Sequence, residues 1–89
     1  MTLAADIETL EQNGWSRVQD REAITKTYQF KSFKRAFGWM TQAAIWAEVL
    51  NHHPEWENGY GRVTVVLTTH DTGGLTDLDV KLAQKMDAI

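Results

Sequence analysis

His52, His53 and His70 are the three histidines of this chain, and they fall close together. Imidazole is the side chain whose ordinary pKa lies near neutrality, so a group of three can hold and pass protons at working pH. No cysteine offers a thiolate, and no Gly-rich phosphate loop is present. Chemistry done by this chain would therefore centre on proton transfer. Composition and spacing leave three readings open. The histidines can act locally, as hydrogen-bonding groups at a helix end and in a loop. Joined by a carboxylate such as Glu55 or Asp71, they could make a four-ligand metal site. Adjacent helical residues point ~100° apart, however, and two histidines on one helix bind metal better at i, i+4. The third reading is a metal-free acid/base site. Helix-end carbonyls and Glu48, one turn before His52, favour a protonated ring there, and burial opposes it.

The elements that carry these residues can be read from periodicity. Residues 4–12 read as a short helix with Ile7 and Leu10 on one side, closed by Asn13-Gly14. Residues 15–19 could form a strand, although their alternation is poor. In 23–30, Ile24, Tyr28 and Phe30 share one face of a better strand; Lys26 falls on the same face and must snorkel or sit at an edge. Asp20-Arg21-Glu22 would be the turn between the two. Ser32 is a suitable N-cap for a long helix running to about His52. Phe33, Phe37, Met40, Ala44 and Ala47 follow helical spacing on it, while Trp39, Ile45, Trp46 and Val49 cover much of the rest. Such a helix needs cover on more than one side, a sheet on one and a partner chain on the other. Pro54 disfavours the α conformation at His53 and ends the helix at or just before it.

Residues 56–69 read as a β-hairpin, with Val63, Val65 and Leu67 alternating on one side. Asn58-Gly59 is the strongest turn signal, and Tyr60-Gly61 is the rival that lengthens the first strand. His70 to Gly74 is loop. Thr76 and Asp79 have capping-box spacing, which alone would account for Asp79, and Leu75 with Val80 supplies the staple. The final helix would bury Leu78, Leu82, Met86 and Ile89. The expected fold is α+β: a four-stranded antiparallel sheet with helices packed on one face, in α-β-β-α-β-β-α order. His70 meets the other two histidines only if the strand end and the helix end converge.

Eighty-nine residues predict a single domain over 1–89. Without disulfides, so small a core favours oligomerisation. The net charge of −3 argues against a nucleic-acid partner, and Lys31, Lys34 and Arg35 read as a solvated face. No run approaches the ~20 apolar residues of a membrane span. The first thirteen residues lack a basic lead and an apolar core, which with zero cysteines fits a cytoplasmic setting.

His52-His53-Pro54-Glu55-Trp56, followed by Thr69-His70, resembles the signature of the pterin-4a-carbinolamine dehydratases. The likeness extends to Arg21-x-Ala23-Ile24, Phe30-Lys31-x-Phe33 and Arg35-Ala36-Phe37-Gly38-x-Met40-Thr41, and on through Gly74-Leu75-Thr76 to Asp79. The resemblance implies an α+β fold, dimers or tetramers, and no metal or organic cofactor, the pterin being the substrate. It implies loss of water from 4a-hydroxytetrahydropterin to give quinonoid dihydropterin, the recycling step after aromatic amino acid hydroxylation. By the same likeness His52, His53 and His70 line the pterin pocket as catalytic residues. Pro54, Thr69, Asp71, Thr72 and Trp56 are candidate pterin contacts, and Glu48 and Asp79 would orient the histidines. His52 would protonate the leaving hydroxyl, His70 would share that role, and His53 would bind the ring and assist proton removal. Gly59 departs from the family pattern, standing where members carry a β-branched residue; a glycine there weakens the strand or shifts the turn to Asn58-Gly59. The alternative is a non-catalytic dimerisation module using the apolar long helix, a role that some animal relatives also serve.

Overall fold

Val63, Val65 and Leu67 are buried while Thr64 and Val66 between them are partly open, so β4 (Arg62–Leu67) turns one face to the core, and it has a strand paired on each side. The computed structural model describes residues 2–89. In chain order the elements are α1 (Leu3–Gln12), β1 (Ser16–Arg17), β2 (Ile24–Gln29), α2 (Phe33–Leu50), β3 (Glu55–Gly59), β4 and α3 (Asp77–Ala88), with a 3₁₀ turn at His70–Thr72 before α3. The strands lie β1-β2-β4-β3, every pair antiparallel. Ile24, Val63, Val65 and Leu67 pack with Ile7, Leu10, Trp39, Ala43, Leu82 and Met86 in one core between sheet and helices. The opposite face carries polar groups such as the hydroxyl pair Thr27–Thr64, 3.1 Å apart. The order of elements and the α+β class are those expected from the sequence. Among the described residues, no helix is long and apolar enough to cross a membrane.

Several details differ, each for a local reason. The first strand shrinks to Ser16–Arg17, because Trp15 leaves the ladder to enter the core. The buried stripe of α2 is Ala36, Trp39, Ala43 and Ala47, not the Phe33–Phe37 row, whose rings are exposed. Three alanines let the helix approach the core closely, and Trp39 fills the remaining space. α2 ends at Leu50 rather than near His52. Asn51 takes the left-handed conformation (φ 51°), and its N–H and that of His52 both reach back to the Ala47 carbonyl. Pro54 therefore lies beyond a helix already stopped.

The hairpin turns at Tyr60-Gly61, with Gly59 paired to Arg62 inside the ladder. Asn58 uses its side-chain amide to donate to the carbonyls of Tyr60 and Arg62, bracing the turn from the strand instead of forming it. Gly61 passes so close to the Phe30 carbonyl that a Cβ there would collide with it, and Phe30 N–H donates to the Gly61 carbonyl at 2.7 Å. Lys26 is held by polar partners at its tip: its ammonium donates to the Asn13 carbonyl (2.7 Å) and to Asp87 (2.8 Å). The same carboxylate accepts from Trp15 Nε1 (3.0 Å) and the Tyr28 hydroxyl (2.5 Å). Burial first, then the Asp87 bond and charge, push the Tyr28 phenol above its ordinary range. In α3 the capping box of Thr76 and Asp79 is present, and Leu82 and Met86 are buried. Leu78 is only half-buried and Ile89 is exposed, Val80 and Ala83 taking the inner positions instead.

Candidate active site

His52 lies two residues beyond α2, where the left-handed step at Asn51 folds the chain back under the helix end. Its ring is buried, and Nε2 is 2.6 Å from Asp79 Oδ1. Asp79, wholly buried in the first turn of α3, uses its other oxygen to accept from the Thr76 amide (2.9 Å) and the Thr69 hydroxyl (2.7 Å). Thr69 spends its proton on Asp79, so the Thr69–Thr76 contact of 2.8 Å takes its proton from Thr76. The Thr76 oxygen accepts in turn from Leu78 N–H. Both Asp79 oxygens and both threonine hydroxyls are thereby satisfied, as buried groups require. Because a carboxylate accepts, the His52 proton facing Asp79 sits on Nε2. No fully buried side-chain nitrogen or oxygen among the described residues lacks a partner, so the unpartnered Nδ1 of His52 is open to the surface.

His53 turns the other way, exposed, with Nε2 against Glu48 Oε2. His70 opens the 3₁₀ turn after β4, and its Nε2 lies 2.9 Å from Glu55 Oε2. Glu55 is gripped in turn by Arg21 through two parallel bonds of 2.8 and 2.9 Å. The Arg21 hydrogen bonds, aided by its charge and opposed by slight burial, hold the Glu55 carboxyl below its ordinary range, and Glu55 raises the Arg21 guanidinium above its own. The segment 51–55, the segment 68–71 and Leu78 bound one cleft of about 380 Å³. That is within the ~300–1,000 Å³ of small-molecule sites. The helix end and the strand end thus converge, and all three histidines line the same concavity.

Of the other residues singled out in the sequence, Pro54, Thr69 and Asp71 line the cleft. Thr72 does not; its hydroxyl donates back to the Thr69 and Gly74 carbonyls. Trp56 also lies outside it, packed on the core with its ring centroid 6.4 Å from that of Trp39. Strand alternation explains this: Trp56 pairs with buried Val65 and shares its face. Glu48 partners His53, not His52. Glu55 and Leu78 are additional members of the cleft wall, with Arg21 behind Glu55. Arg21-x-Ala23-Ile24 and the Glu of His-His-Pro-Glu carried a trace of the pair, but nothing local links positions 34 residues apart. Among the described residues, no group of three or more histidines and carboxylates is disposed to hold a metal ion.

Residues 2–89 match the family model described as pterin 4 alpha carbinolamine dehydratase. A protein of Roseobacter denitrificans, provisionally named a pterin-4-alpha-carbinolamine dehydratase, is 60% identical over 83 residues, 93% of this chain and 85% of its own. One of the same provisional name from Jannaschia sp. is 59% identical over 86 residues, 97% of this chain and 88% of its own. A crystal structure described as a transcriptional coactivator/pterin dehydratase from Brucella melitensis superposes with a TM-score of 0.89 at 52% identity, over 99% of this chain and 95% of that one. A pterin dehydratase-like protein described as a RuBisCO assembly factor in the alpha-carboxysome superposes at 0.72 with 18% identity, over 84% and 87% of the two chains. At that identity the likeness is one of fold alone.

Proposed function

Because the chain belongs to the pterin 4 alpha carbinolamine dehydratase family, we propose that it dehydrates 4a-hydroxytetrahydropterin to quinonoid dihydropterin. His52, His53 and His70 carry the proton transfers, and no cofactor takes part. The observation that supports this most is the convergence of three imidazoles, from two distant segments, on one cleft of small-molecule size.

Hydroxide is a poor leaving group, so the 4a-oxygen takes a proton as the C4a–O bond breaks and water departs. The N5 proton goes to a base, and its electron pair completes the C4a=N5 double bond. One proton is supplied and one is removed, so the reaction needs no co-reactant, and groups that titrate near neutrality serve both steps. His52 acts as the acid toward the leaving oxygen. With Nε2 committed to Asp79, Nδ1 is its transferring atom, and the buried carboxylate balances the ring's charge while it holds both protons. His70 shares the acid role from the other rim. His53 binds the pterin ring and assists removal of the N5 proton, with Glu48 behind it. Pro54, Thr69 and Asp71 complete the walls. The reaction follows aromatic amino acid hydroxylation and returns the pterin for reduction.

The test is a stopped-flow assay of enzymatically generated 4a-hydroxytetrahydropterin with and without the chain. His52→Ala and His70→Ala should each slow dehydration by about 10²–10³-fold, the usual worth of one acid/base group. Unchanged single-turnover rates in both variants overturn the assignment. A second reading, an interaction module, draws on the exposed apolar residues of α2, Phe33, Phe37, Ile45 and Val49. A stable oligomer that ignores reduced pterins in equilibrium binding favours that reading instead.

A further inference from the structure

Arg21 and Glu55 carry no proton in the scheme above, yet two parallel hydrogen bonds fix their geometry. Arg21 lies in the turn between β1 and β2, Glu55 begins β3, and β4 runs between them, so the guanidinium reaches across the end of the sheet. Both carboxylate oxygens are engaged, at 2.8 and 2.9 Å. The two side chains are 44% and 42% exposed, and an exposed ion pair contributes little to stability. What a planar two-bond fork does supply is a fixed orientation. The turn bearing Arg21 is tied down a second time, by Thr68 Oγ1 donating to the Glu22 carbonyl at 2.7 Å. His70, two residues after Thr68, has a side chain 71% exposed, and among the described residues its ring has one hydrogen-bond partner, the Glu55 oxygen that also accepts from Arg21.

We propose that Arg21 and Glu55 are positioning residues for His70: the guanidinium immobilises the carboxylate, and the carboxylate holds the ring by Nε2–H so that Nδ1 is the nitrogen presented to the cleft. A carboxylate only accepts, so the proton between the two belongs to the ring. Arg21 lies outside the cleft wall and acts through Glu55 alone. Both rims then follow one rule, His52 held at Nε2 by a buried carboxylate and His70 by one braced from outside. This role presupposes the dehydration reading.

The experiment measures kcat and KM by stopped flow for Arg21→Met and Glu55→Gln, each alone and combined with His70→Ala. Each single substitution should lower kcat about tenfold, as loss of an orienting partner does, with KM within about twofold. In the His70→Ala background each should change kcat by less than about twofold, because positioning without a ring to position has no effect. Arg21→Lys should recover only part of the rate, an ammonium being unable to form the fork. Full additive losses in the His70→Ala background, or wild-type kcat in the single variants, overturn the proposal. A second readout needs no turnover. Carbon-13 relaxation of the His70 ring should report an ordered ring in the wild-type chain and a mobile one in Arg21→Met and Glu55→Gln. Equal order in all three overturns the positioning role even if the chain proves inactive toward the pterin, whereas inactivity with the expected loss of order overturns only the dehydratase reading.

Discussion

Asp79 serves two purposes with one carboxylate. Its Oδ2 closes the first turn of α3 and anchors Thr69, while its Oδ1 holds His52. Asp79→Ala removes a helix cap and leaves buried donors without an acceptor, which should cost about 2–4 kcal/mol. Asp79→Asn keeps an oxygen for the Thr76 amide and should cost less, yet should slow dehydration because the charge beside His52 is gone. Urea unfolding together with single-turnover rates separates the two effects; an Asp79→Ala chain as stable as wild type would contradict the structure. At the outer rim the sign of a pH effect follows from Glu55. Its folded pKa is depressed, so its ion pair adds stability above the ordinary carboxyl range and loses it as pH falls through the depressed value. Arg21→Met should therefore move the acid unfolding midpoint, followed by circular dichroism, to higher pH. Identical midpoints would show that the pair adds nothing to the folded state.

The step that separates His52 from α2 rests on Asn51 at φ 51°. Asn51→Val should destabilise the fold by about 1–2 kcal/mol, the cost of forcing a side chain with a branched Cβ into the left-handed region, whereas Asn51→Gly should stay close to wild type. Chemical denaturation checks both, and equal stability of the Val variant would mean that another conformation ends the helix as well. Local signals were the legible ones. Ser32 and Thr76 cap where their hydroxyls predict, and the alternation of Val63, Val65 and Leu67 marks the central strand. Asn58-Gly59 misled because a turn preference is a local statement, while the register is set by Gly59 pairing with Arg62 and by Gly61 fitting against Phe30. Long-range partners left no local pattern that links one to the other. Lys26 looks misplaced on an apolar face until Asp87, 61 residues away, is set beside it. The candidate site was visible as three histidines, and their meeting followed from the family likeness rather than from spacing.

At the scale of the whole molecule, α2 leaves Phe33, Phe37, Ile45 and Val49 exposed at four-residue intervals, broken only by Thr41. A chain with so small a core gains from covering such a stripe, and a homodimer or homotetramer through this face is the expected assembly. Ile45→Glu with Val49→Glu should lower the mass measured by light scattering while leaving the far-ultraviolet spectrum unchanged; an unchanged mass would move the contact to another surface. The cleft is bounded by residues outside this stripe, so the same double variant should keep the proposed dehydration rate. The Thr76 amide proton, resting on the carboxylate that also grips His52, has a practical use. Its replacement by deuterium is a clock for the integrity of the wall that holds His52, and it requires no pterin and no turnover. A substitution anywhere in the chain that hastens this one amide while sparing its neighbours on α3 will have loosened His52 before any assay detects it.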